Sequence, residues 1–185
     1  MPQVSTKLQK MVILSLMIAL DVILSPLFRI EGMAPMSSVM NVIGVTLMGP
    51  LYGIVMATIC GLLRMLLLGV PPLALTGAIF GAFLAGIGYK YSQNIYVAML
   101  GEIIGTGLIG SLLSYPVMVW FTGNTQSMYW FIYTPRFFGG AISGAMIGYL
   151  VFLKLKNVSK FKQIQTLFKG SVTDEYNKYP SISNE

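Results

Sequence analysis

The sequence predicts an all-α membrane protein with six transmembrane helices and both the N and C termini cytoplasmic. Three observations predict this. Of 185 residues, 55% are hydrophobic and only 10% charged, against about 25% charged in ordinary soluble domains, and the mean hydropathy is +0.74. Apolar runs of spanning length alternate with proline, glycine or polar breaks. Basic residues fall on one side of the bundle when six spans are counted.

Lys7 and Lys10 precede an apolar run from Met11 to Phe28. That run contains Asp21 and ends in SPLFRIEG rather than in a small-residue cleavage site, so it reads as a retained first span. The stretch from Ala34 to Leu68 exceeds the roughly 20 residues that one span needs. Gly49-Pro50 cuts it, because proline lacks the backbone donor a helix requires, giving a short second span and a third. Val70-Pro71-Pro72 breaks the pattern again, and a fourth span runs from Leu73 to Tyr89, closed by the polar KYSQN segment from Lys90 to Asn94. The fifth runs from Ile95 to Val117. The connection that follows holds TGNTQS (Thr122 to Ser127) with Trp120, Tyr129 and Trp130, rings that favour headgroup depth. The sixth runs from Phe131 to Leu153.

One transmembrane domain, residues 1–156, is therefore expected, followed by a basic cytoplasmic tail, 157–185. In the tail, Val158, Phe161, Ile164, Leu167 and Phe168 recur at near-helical spacing between lysines, the pattern of an amphipathic helix on an anionic inner leaflet. From Ser171 onward the composition reads as disordered. Six spans place Lys7, Lys10, Lys90, Lys154, Lys156, Lys160 and Lys162 on one side, and chiefly Arg29 and Arg136 on the other. Demoting the short second span would separate Lys90 and the tail from Lys7 and Lys10.

Several function classes fall away. Cys60 is the single cysteine, set in an apolar MATICGLL context, so neither a disulfide nor redox chemistry is indicated. Histidine is absent, and no carboxylate or sulfur cluster has ligand spacing. Neither an enzyme, a metal, a cofactor nor a nucleic-acid partner is expected.

Small residues recur at four-residue spacing: Gly77, Gly81 and Ala85; Gly101 and Gly105; Gly140, Gly144 and Gly148. Such rows let helix backbones approach in lipid, where apolar burial supplies no drive. Ser15 and Ala19 form an isolated small notch on an otherwise bulky first span, a candidate docking groove for a partner helix. Charges within spans are costly and usually pair, line a cavity or reach an interface. Arg29, Glu31, Arg64 and Arg136 converge on the outer half, and Glu102 lies within the fifth span. With Asn41, Thr106, Tyr115 and Tyr133 as neutral donors and ring faces, they make the candidate substrate-binding set. Asp21 has no assigned partner.

The blocks RIEGMAP (Arg29 to Pro35), SSVMNVIGVTLMGPLYG (Ser37 to Gly53), LLRMLLLG (Leu62 to Gly69), GAIFGAFLAGIGYK (Gly77 to Lys90) and GEIIGTGLIGSLLSYP (Gly101 to Pro116) resemble the ThiW family. ThiW proteins are substrate-binding S components of energy-coupling-factor (ECF) transporters. The resemblance implies a six-helix capture subunit in a prokaryotic plasma membrane. It would bind the thiamine precursor hydroxyethylthiazole at its outer face and dock through Ser15 and Ala19 on the ECF transmembrane coupling protein (EcfT), driven by two ECF ATPases. The chain departs from the family pattern at Ser38, where a histidine is expected, and at Leu75-Thr76-Gly77, where Phe-Pro-Gly is. The absence of G-x-x-x-x-G-K-[ST] agrees with energy coming from a partner. An S component for hydroxymethylpyrimidine, thiamine or riboflavin, and a stand-alone secondary transporter, are the alternatives.

Overall fold

The computed structural model describes residues 6–29, 33–123 and 130–177, with 170–177 as backbone only. Six elements follow in chain order: α1 (Thr6–Leu27), α2 (Pro35–Leu68), α3 (Leu73–Ser92), α4 (Ile95–Thr122), α5 (Thr134–Leu155) and α6 (Ser159–Asn177). No β-strand occurs among the described residues.

α2 carries the break that the sequence predicts. Gly49 takes φ 84° and ψ 174°, which no helix accommodates, and Pro50 follows it without a backbone donor. The two arms fold back on each other there. A Cβ added to Gly44 would lie 2.6 Å from Met56 Cε, and one added to Gly53 would lie 2.5 Å from Val45 Cγ1. Ser37 and Arg64, at the far ends of the arms, share a hydrogen bond. The first arm, residues 35–48, is about 21 Å long at 1.5 Å per residue and almost wholly buried, with Val42 and Val45 at its centre. The second arm ends at Gly69, whose left-handed φ of 62° lets its N–H cap the Arg64 carbonyl before the two prolines.

Five helices, α1 to α5, are long and apolar enough to cross a bilayer. Large apolar side chains stand on the outside, Leu66 at 81% exposure and Leu51 at 70% among them, a surface suited to lipid rather than water. The small-residue rows lie where helices meet. A Cβ on Gly101 would strike the Leu84 carbonyl and one on Gly105 the Phe80 carbonyl, so α4 runs backbone to backbone with α3. Gly144 similarly meets the Pro35 carbonyl and places α5 against the first arm of α2. Within α4, residues Ile103–Gly110 widen into a π-helical stretch, a local geometry often found at functional sites.

α6 continues past Ser171 to Asn177, where the composition reads as disordered. Its apolar face packs on the bundle end that holds the Gly49 turn. Phe161 and Phe168 are buried, Phe168 meets Tyr52 edge-on at 4.7 Å, and Gln165 Nε2 donates to the Thr46 carbonyl at 2.8 Å. Lys10 of α1 sits 5.7 Å over the Phe168 ring and Lys169 Nζ donates to Gln93 Oε1 at 2.8 Å. The lysine-rich segments therefore gather at one end, whereas Arg29, Arg64 and Arg136 meet at the other.

Candidate functional site

At the arginine end a cavity of about 60 Å³ opens between α2, α3, α4 and α5. One water needs roughly 10–15 Å³, so the space accommodates several small groups. Its wall combines charge and apolar surface. Arg29, Arg64 and Arg136 supply cations and Glu102 the one carboxylate among the described lining residues; Ser37, Ser38, Asn41 and Thr106 add neutral polar groups. Met33, Val70, Leu73 and Phe137 supply apolar contact.

Three elements hold the polar floor in place. Glu102, fully buried on α4, accepts from Asn41 Nδ2 at 3.3 Å on both oxygens and from Thr106 Oγ1 at 2.8 Å. Asn41, on the first arm of α2, also donates to the Ala78 carbonyl of α3 at 3.1 Å, and Thr106 to the Gly77 carbonyl at 3.0 Å. Glycine at 81 is what lets this network sit against α3, because a Cβ there would strike Thr106 Oγ1 and both Glu102 oxygens. The Ser38 hydroxyl interacts with Glu102 as well.

Arg64 is 4% exposed and donates through Nη1 to Ser37 Oγ at 3.3 Å. Arg64 and Glu102 are thus held by different partners. Behind Arg64 lies the acid left without a partner by sequence reasoning. Asp21 accepts from Ser25 Oγ at 2.6 Å, while the Cys60 thiol interacts with it and the Arg64 charge acts on it.

Three buried polar atoms lack any hydrogen-bond partner among the described residues: Asn41 Oδ1, Arg64 Nε and Asp21 Oδ2. The first two belong to residues that line the cavity. Asn41 cannot be turned over to hide its oxygen, because Oδ1 would then face the Ala78 carbonyl and the Glu102 carboxylate. A buried acceptor and a buried donor without partners cost free energy unless a bound molecule satisfies them. The cavity thus sets Asn41 and Arg64, each with one unsatisfied buried atom, beside the Phe137 ring within a partly apolar wall, the constellation of a small-molecule site.

Of the residues singled out from sequence, Arg29, Asn41, Arg64, Glu102, Thr106 and Arg136 come together here. Tyr115 does not line the cavity; its ring packs on Trp130 at 4.8 Å. Tyr133 immediately precedes α5 and is likewise not among the lining residues. Glu31 lies outside the described residues. Ser15 and Ala19 are exposed on α1. Sequence reasoning passed over Ser37 and Phe137. Ser37 carries a usable signal, since it lies one helical turn before Asn41 on the same face of an apolar arm.

Residues 11–158 match the family model described as "Thiamine-precursor transporter protein (ThiW)". No curated protein and no solved structure matches the chain.

Proposed function

The chain belongs to the ThiW family of thiamine-precursor transporters, a membrane transport protein rather than an enzyme, and we propose that it is the substrate-capture subunit of an ECF-type importer specific for hydroxyethylthiazole. The two cavity-lining residues that each carry an unsatisfied buried atom, Asn41 (Oδ1) and Arg64 (Nε), support this reading most directly. A thiazole alcohol brings one hydroxyl to donate to the first and one ring nitrogen to accept from the second. Its flat ring suits the Phe137 face. The bond pattern alone would also admit another single-ring alcohol; the size of the cavity argues against larger vitamins such as two-ring thiamine or three-ring riboflavin. Even for a single ring the wall must widen, and the exposed Arg29 and Arg136 at the mouth are the side chains free to give way.

In this reading the two arms of α2 count as separate crossings, giving six, with both termini cytoplasmic in a prokaryotic plasma membrane. The arginine end then faces outward, where precursor is captured, and the lysine end faces inward. Ser15 and Ala19 serve as the notch for the coupling protein, and the chain lacks a phosphate-binding loop of its own. Reconstitution in liposomes tests the assignment. Labelled thiazole should accumulate only when the coupling protein, both ATPases and ATP are present. Accumulation by this chain alone, driven by an ion gradient, would instead make it a stand-alone secondary transporter.

A further inference from the structure

A second cavity, of about 490 Å³, lies at the opposite end of the bundle, between the Gly49 turn, the end of α3 and α6. Its size falls in the ligand range of roughly 300–1,000 Å³. Two features distinguish its lining. The rim is cationic: Lys90 lies in the last turn of α3 and Lys169 stands on α6, with no carboxylate among the described lining residues. Gln93 ties the two sides, accepting from Lys169 Nζ while its Nε2 donates to the Tyr89 and Lys90 carbonyls. The opposite wall is apolar and runs outward through Leu51, which is 70% exposed on the lipid-facing surface.

A site for a soluble anion needs the cations but not an apolar wall that opens onto lipid. An amphiphile needs both. Tyr52 and Tyr89 on the same lining have the ring-and-hydroxyl character of residues at headgroup depth. We propose that this cavity binds the phosphate headgroup of an anionic phospholipid, with Lys90 and Lys169 on the phosphate and an acyl chain leaving along Leu51. The site rests on the orientation proposed above, which puts this end at the inner leaflet, but it is independent of which precursor the other cavity takes. Bound lipid would pin α6 to the Gly49 turn and so brace the end of the bundle that carries the N-terminal part of α1.

Native mass spectrometry of the full chain, released from micelles doped with phosphatidylglycerol or phosphatidylcholine, tests this. Retention of phosphatidylglycerol should exceed that of phosphatidylcholine, and Lys90→Gln with Lys169→Gln should reduce it by roughly thirtyfold, the effect of two basic groups near an anionic headgroup. Each single substitution should have an intermediate effect, and thiazole binding should be unchanged in all three variants. Equal retention of the two lipids, or undiminished phosphatidylglycerol in the double variant, overturns the proposal. Displacement of the lipid by millimolar inorganic phosphate would mark a soluble-anion site and overturn the lipid assignment too.

Discussion

Ser37 and Arg64 are 27 residues apart on the two arms of α2, and the serine hydroxyl accepts from the guanidinium at 3.3 Å. A straight helix would hold them about 40 Å apart. Gly49 is responsible, because its φ of 84° turns the second arm back along the first. The turn thus carries Arg64 to the same end of the bundle as Asn41, and the cavity exists only because of it.

Gly49→Ala should therefore destabilise through backbone strain alone, since nothing stands within 4 Å of an added Cβ. The expected cost is about 1–3 kcal/mol, since ψ 174° places Gly49 in an extended positive-φ region that essentially only glycine occupies. Gly105→Ala should cost more, because its Cβ meets the Phe80 backbone carbonyl, which cannot move without parting α3 from α4. Thermal unfolding of both variants in one detergent gives the order; a Gly105→Ala protein as stable as wild type would contradict the described helix contact.

Glu102→Ala should cost both stability and ligand binding. It leaves Asn41 Nδ2 and Thr106 Oγ1 without the carboxylate they share, at about 1–3 kcal/mol for the buried groups. Glu102→Gln keeps the shape and part of the bonding, so it should fall between alanine and wild type in melting temperature and in affinity. Equal behaviour of the two variants would show that the shared hydrogen bonds carry no weight.

Tyr115→Ala should leave ligand affinity within twofold of wild type, as its ring contacts Trp130 rather than the cavity. Arg64→Ala should weaken binding at least about tenfold, the equivalent of 1.4 kcal/mol. Titrating both variants with the same ligand separates a residue that lines the cavity from one that does not.

Ser15→Leu should abolish reconstituted uptake while leaving precursor binding to the isolated chain unchanged, because Ser15 is exposed on α1 and is not among the cavity-lining residues. Loss of binding in that variant would make the notch part of the fold rather than a docking surface.

Much of this was legible in the sequence for identifiable reasons. The break at Gly49-Pro50, the helix starts after Pro71-Pro72 and Asn94, and the glycine rows all express local chemistry: a missing donor, a side-chain cap from Asn94 Oδ1 to the Tyr96 N–H at 2.9 Å, and the absence of a Cβ. Charges stranded in apolar runs pointed to Arg64 and Glu102, and both are buried. Pairing was not legible. Whether Glu102 meets Arg64 or Asn41 depends on how far α4 is rotated against α2, which periodicity does not fix. The place of Tyr115 was hidden for the same reason, its ring being equally suited to a pocket or to Trp130. The capping role of α6 was hidden because an amphipathic face fits a bilayer surface and a bundle end equally well.

The most direct test of the capture reading is calorimetric titration of the purified chain in detergent with hydroxyethylthiazole, alongside hydroxymethylpyrimidine, thiamine and riboflavin, in wild type and Asn41→Ala. Selective submicromolar binding of the thiazole by the wild type, weakened about tenfold to a hundredfold by the loss of the Asn41 acceptor, is the predicted result. Preference for another of the four compounds, or thiazole binding indifferent to Asn41→Ala, would contradict the assignment of ligand and site.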